Sequence, residues 1–79
     1  MKARIVVTLK TGVLDPQGKA IEAALKSLGI DDVSGVRQGK VFDLDIASDD
    51  RAQAEATLKA ACEKLLANTV VENYTIEIA

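Results

Sequence analysis

Residues 33–47 read VSGVRQGKVFDLDIA, and whether they hold one strand or two decides the fold. Phe42, Leu44 and Ile46 alternate with Asp43 and Asp45, the period of a strand with one dry face and one wet face. Gln38-Gly39-Lys40 has the composition of a tight turn, so the stretch reads as two short strands in a hairpin around it.

Toward the N-terminus, Ala3, Ile5, Val7 and Leu9 alternate with Lys2, Arg4, Thr8 and Lys10, which makes residues 2–10 a strand, with Val6 the one apolar residue on the second face. Thr11-Gly12 breaks it. In the following TLKTGVLDPQGKAI, residues 8–21, Asp15 can cap a helix and Pro16 suits the first turn, where its missing N–H removes no hydrogen bond. Ile21, Ala24, Leu25 and Leu28 then form one apolar stripe of a helix that runs to about Leu28, with Glu22 and Lys26 paired on the wet side and Gly29 as a C-terminal cap. Gly18 is the odd residue. In a helix interior glycine costs roughly 1 kcal/mol against Ala, less near an end, so its presence predicts that something packs closely there.

Toward the C-terminus, Ser48-Asp49-Asp50 offers capping groups, and Ala54, Leu58, Ala61, Cys62 and Leu65 recur at helical spacing. A second helix over about 50–66 follows, with Asn68 at its C-terminal end. Tyr74, Ile76 and Ile78 alternate with Asn73, Thr75 and Glu77 in a closing strand. The order β-α-β-β-α-β predicts an α+β, ferredoxin-like split βαβ domain over residues 1–79, a four-stranded antiparallel sheet with two helices on one face. Right-handed crossovers would place the first and third strands centrally and the second and fourth at the edges. The face away from the helices would carry Val6, Thr8, Val41, Asp43, Val71, Asn73 and Thr75, a mixture that invites a partner sheet.

Composition bounds the rest. The chain has 79 residues, 48% hydrophobic but 3% aromatic, so the core must come from Val, Ile, Leu and Ala. A core of this size rarely supplies more than about 3–5 kcal/mol. With one Cys and no His, neither a disulfide nor a His-based metal site can staple it, and oligomerisation is the remaining source of stability. A net charge of −2 with interspersed signs offers no basic face for nucleic acid. MKARIVVTLK lacks the apolar run of a signal peptide, no segment approaches the roughly 20 apolar residues of a membrane span, and a lone Cys62 fits the cytoplasm.

The side chains point away from catalysis. Histidine, the commonest general base, is missing, and Cys62 lies on the apolar stripe of the second helix, where it reads as core. The C-x-x-C of metal carriers is absent. Phe42 and Tyr74 share the alternation of Leu44, Ile46, Ile76 and Ile78 and read as core, not as RNA-stacking platforms. The loop after the first strand has no Arg with which to cradle an acyl phosphate. Asp43 and Asp45 share a face and could hold a cation, although a solvated strand face is the commoner meaning. Asp49-Asp50 reads as a helix start. Arg37 and Lys40 flank the hairpin tip, where they can meet an acidic partner or a phosphate, or serve as ordinary surface charge.

Taken together, VTLKTGVLDPQGKAIEAAL near the start, VRQGK at the hairpin and CEKLLANTVVENYTIEI at the end resemble the small PurS-type subunit of phosphoribosylformylglycinamidine synthase, nearly end to end. One departure is Thr69, where the family usually has Pro after the Asn that ends the second helix. The resemblance implies a subunit without chemistry or cofactor of its own. A PurQ-type glutaminase subunit releases ammonia from glutamine. A large PurL-type synthetase, which uses ATP and Mg, consumes it to convert formylglycinamide ribonucleotide to formylglycinamidine ribonucleotide in purine biosynthesis. The small subunit bridges the two, as a homodimer formed through its sheets, with a tetramer open to it through further edge-strand pairing. Such a bridge has a physical reason, because ammonia released into neutral water becomes ammonium, which is no nucleophile.

The resemblance also points to Thr11 to Gly18 as a docking loop. Pro16 would stiffen it, Gly12 and Gly18 would permit close backbone approach, Asp15 and Gln17 would offer polar contacts, and Arg37 and Lys40 would lie alongside. The plainer reading is a well-capped strand-to-helix turn. The rival from another class is an ACT-like regulatory module, in which a glycine-bearing loop after the first strand meets a small ligand at a dimer interface.

Overall fold

A computed structural model describes residues 1–79. The elements are β1 (Lys2–Leu9), α1 (Pro16–Ser27), β2 (Gly39–Asp45), α2 (Arg51–Ala61), which runs on into a π-helical turn (Cys62–Leu66), and β3 (Glu72–Ile78). The sheet has three strands in the order β2-β1-β3, both pairings antiparallel. The expected alternation decides its faces: Ala3, Ile5 and Val7 point inward, with Phe42, Leu44, Tyr74, Ile76 and Ile78 packed around them. On the outer face Lys2 stands opposite Asp45, Arg4 lies between Asp43 and Glu77, and Val6 lies between Val41 and Thr75.

Two expectations are corrected. The sheet has three strands, not four, because residues 33–38 form no strand. Gly35 turns that segment through the left-handed region at φ +66°. The amides on either side of Arg37 are taken by carboxylates instead of a ladder: Val36 N–H donates to Glu22 (3.2 Å) and Gln38 N–H to Asp15 (2.8 Å). The first strand is central as expected, but the strand expected at its centre-side neighbour position, β2, is left as an edge.

The second correction concerns the helices. Only α2 covers the sheet, with Leu58 and Cys62 fully buried against Ile5 and Val7, whereas α1 makes no substantial contact with any strand. Its only buried residue is Gly18. Together with the return segment 28–38, α1 stands out as an arm. The radius of gyration is accordingly 15.9 Å, against about 12 Å for a compact domain of this length.

Within α2, Asp50 caps the first turn by accepting from the Ala52 and Gln53 amides, as its sequence position suggested. Ala54, Leu58 and Cys62 line the buried stripe. Leu65, expected on the same stripe, is 83% exposed. The cause is the π turn, in which the Ala67 amide donates to the Cys62 carbonyl (2.9 Å). The wider turn delays the stripe by a residue, so Leu66 and Ala67 face the core in place of Leu65.

Candidate functional site

The residues singled out around the first loop do meet in space, at the root of the arm. The chain leaves β1 through a turn in which the Val13 amide donates to the Lys10 carbonyl (3.1 Å), and enters α1 at Asp15. One carboxylate oxygen of Asp15 accepts the Gly18 amide (2.9 Å) and the other accepts the Gln38 amide (2.8 Å). A single side chain thus caps α1 and ties the returning chain to it. The two amide hydrogen bonds, Gln38 first and Gly18 second, hold its pKa below the usual carboxylate range. Glu22 is lowered in the same sense, chiefly by the Val36 amide.

Gly18 earns its place by close approach. A Cβ there would lie 2.4 Å from the Val36 carbonyl oxygen and 2.6 Å from Asp15 Oδ2. No side chain fits. Arg37 closes the assembly from the other side, its guanidinium donating to the carbonyl oxygens of Leu9 and, at 3.3 Å, of Lys10. The latch therefore couples the end of β1, the start of α1 and the approach to β2.

The structure divides the candidate residues into two sets. Asp15, Gly18 and Arg37 are occupied in holding the loop, and their polar groups are largely spent on backbone partners. Gly12, Pro16 and Gln17 are exposed on its surface. Lys40 lies on the inner face and reaches over β1 to Glu72 (3.6 Å), whose other oxygen accepts the Asn68 amide (2.7 Å). Asp15, Gln17, Gln38, Lys40 and Glu72 rim an open hollow of about 300 Å³ floored by Val7 and Leu9. Leu14 lies within the same Thr11–Gly18 loop, where no sequence argument gave it a role, and is 84% exposed at the loop's tip. Its signal was an apolar residue that belongs to no periodic stripe.

Elsewhere the candidate groups are paired or buried. Asp43 accepts from Arg4 (2.7 Å) and Asp45 from Lys2 (3.2 Å), all on the solvated outer face. Cys62 is fully buried, and burial first, then the Glu63 carboxylate, pushes its thiol pKa up, away from the thiolate that a nucleophile requires. No three of its Cys, Asp and Glu side chains converge as a metal site would need, and no helix is long and apolar enough to cross a membrane.

A family model described as PurS, phosphoribosylformylglycinamidine (FGAM) synthase, matches residues 2–79. The chain belongs to the PurS family of phosphoribosylformylglycinamidine synthase subunits. It is 51% identical to the PurS subunit of Synechocystis over 75 residues, which cover 95% of this chain and 75% of that one. In structure it is similar to Bacillus subtilis PurS, with a TM-score of 0.87 and 47% identity over 96% of this chain and 94% of that one. It is also similar to a chain of the PurLQS structure from Thermotoga maritima, with a TM-score of 0.88 and 36% identity over 96% and 93% of the two chains. PurS chains thus share this open shape, arm included.

Proposed function

We propose that the chain acts as one non-catalytic domain that bridges a PurL-type synthetase and a PurQ-type glutaminase, assisting the passage of ammonia between them. The observation that carries this reading is the end-to-end likeness to a chain of the Thermotoga maritima PurLQS assembly. The molecule's own chemistry agrees with it: its low-pKa carboxylates are spent on backbone amides, at Asp15 and Glu22, or on Arg4, at Asp43, and its thiol is buried. ATP and Mg belong to the synthetase partner, where formylglycinamide ribonucleotide is amidated in purine biosynthesis, and the working compartment is the cytoplasm. The chain works as a homodimer that can pair further into a tetramer.

The docking loop is Thr11 to Gly18 with Arg37 and Lys40 beside it. Gln17, Pro16 and Gly12 present the contact surface, Leu14 adds an apolar anchor, and Asp15, Gly18 and Arg37 hold it rigid. A rigid loop loses little conformational entropy on docking. Light scattering on the chain mixed with both partners under glutamine and Mg-ADP should detect a three-component complex that restores glutamine-dependent synthesis. Leu14→Ser with Gln17→Ala should abolish that complex while leaving the isolated chain as stable as before. A wild-type chain that ignores both partners, and instead gives a calorimetric signal with amino acids, would replace this reading with the regulatory one.

A further inference from the structure

The apolar alternation on the inner face of the sheet breaks at one end. Phe42 and Leu44 of β2, and Tyr74, Ile76 and Ile78 of β3, pack against the core. One more step of the same period, two residues back along each strand, places Lys40 and Glu72 on that face. The register sets Lys40 beside Val7 and Glu72 beside Leu9, so a cation and a carboxylate flank β1 where an apolar pair would close the core. Their pairing is incomplete. The Glu72 side chain is only 16% exposed; one oxygen accepts the Asn68 amide, while the other has Lys40 Nζ at 3.6 Å, beyond hydrogen-bond length. Lys40 is more than half exposed.

These two residues share the rim of the 300 Å³ hollow with Asp15 and Gln17, above the floor of Val7 and Leu9. Asp15 gives each oxygen to one amide, and each keeps a lone pair. The rim thus sets two carboxylates against one ammonium, so it favours a cation. A largely buried carboxylate oxygen with no hydrogen-bond donor calls for one, and the aliphatic floor calls for an apolar stem. Arginine supplies both, because its planar fork reaches two acceptors at once and its methylenes lie along apolar surface. The volume sits at the lower limit of small-molecule pockets. Gln17 also carries the rim into the exposed surface of the docking loop, so a cation seated here is one that a docked protein presents.

We propose that the hollow seats an arginine of the subunit that docks on the Thr11 to Gly18 loop, its guanidinium between Glu72 and Asp15 and its stem on Val7 and Leu9. Lys40 swings out to solvent as the arginine enters. The inference rests on the docking reading above and deepens it, naming the chemistry of the partner's anchor. An arginine held in a pocket at the centre of a contact is among the side chains that dominate binding.

Two substitutions with opposite expected signs test this, by titrating the chain into both partners under glutamine and Mg-ADP and following assembly by light scattering. Glu72→Gln keeps an oxygen for the Asn68 amide and turns an NH2 toward the hollow. Lys40→Met removes the competing cation and keeps the stem. Thermal melts confirm that both variants are folded. Glu72→Gln should weaken assembly about tenfold or more, and Lys40→Met should strengthen it several-fold. If the Lys40–Glu72 pair only braces the sheet, the two variants weaken assembly alike or leave it unchanged. The arginine seat then falls, while a docking loop that still responds to Leu14→Ser with Gln17→Ala stands. Loss with Lys40→Met beside gain with Glu72→Gln would overturn the proposal in favour of an acidic side chain. Variants that change only the self-association of the isolated chain on dilution would overturn it by seating a second copy in the hollow. A wild type that binds neither partner would overturn the docking reading and this inference with it.

Discussion

The sheet with α2 and the arm with α1 are built from the same kind of unit, an apolar strand leading to or from an amphipathic helix, yet they are held together by different forces. Around α2 the contact is dispersion and dehydration: Ile5, Val7, Leu58 and Cys62 are all but fully buried. Around α1 it is directional hydrogen bonding, with Asp15 and Glu22 each accepting backbone amides of the returning segment and almost nothing buried. Packing hides surface as it stabilises. A carboxylate latch fixes shape and leaves the surface available, which is what a recognition element needs.

The sharpest way to break the comparison is to remove a packed side chain and a latch element in turn. Leu58→Ala should cost about 2–4 kcal/mol, the usual penalty for truncating a buried Leu. Against the few kcal/mol available to a core of this size, that should leave the chain largely unfolded near 37 °C in thermal melts. Gly18→Val should act on the arm alone. The new side chain meets the Val36 carbonyl oxygen, and relieving such overpacking costs about 1–3 kcal/mol. Hydrogen exchange at Val36 and Gln38 should accelerate while amides of β1 and β3 keep their protection. Uniform acceleration would mean that arm and sheet are one cooperative unit.

Acid separates the two regions without mutation. Asp15 and Glu22 have folded-state pKa values below their ordinary values, so their contribution is complete above the unfolded carboxylate pKa of about 4. It is lost as pH falls from there through the lowered values. The arm should therefore loosen first on acidification, seen as exchange broadening of Val36 and Gln38 amide signals, with the α2 core unaffected over the same interval. Asp15→Asn should loosen the arm already at neutral pH, because its single amide oxygen can accept only one of the Gly18 and Gln38 amides while its NH2 faces the other, and the acid dependence that remains should be that of Glu22.

The difference between the regions also explains what could be read from the sequence. Hydrophobic periodicity located β1, α2 and β3 and the inward set Ile5, Val7, Leu58 and Cys62, because burial leaves a period in the chain. It failed at residues 33–37, where carboxylates fourteen and more residues upstream take the amides a second strand would have used. A side chain bonding to a distant backbone has no period. It failed again at Leu65, since a π turn shifts the stripe without altering composition. At the candidate site the oddness of Gly18 was legible as close packing, but its neighbour, Val36, was not. The stripe of α1 was visible too, although nothing in it says that Ile21 and Leu28 stay exposed and do not cover the sheet.

The smallest effect is expected on the outer face, where the contacts look strongest on geometry alone. Arg4 and Asp43 form a short ion pair at 2.7 Å, and Lys2 and Asp45 stand at 3.2 Å. The carboxylate of Asp43 is held low, first by its hydrogen bond to Arg4. Yet both side chains are more than half exposed, water screens the charge, and ordering two long side chains opposes the gain. Asp43→Asn should therefore shift the melting temperature by no more than about a degree or two, less at high salt. A larger loss in the isolated chain would mean that the face is shielded from water, which a second molecule lying across Val6 and Val41 would do. The same substitution then reports on that contact: an effect that appears only as concentration rises belongs to the interface, and one independent of concentration belongs to the fold.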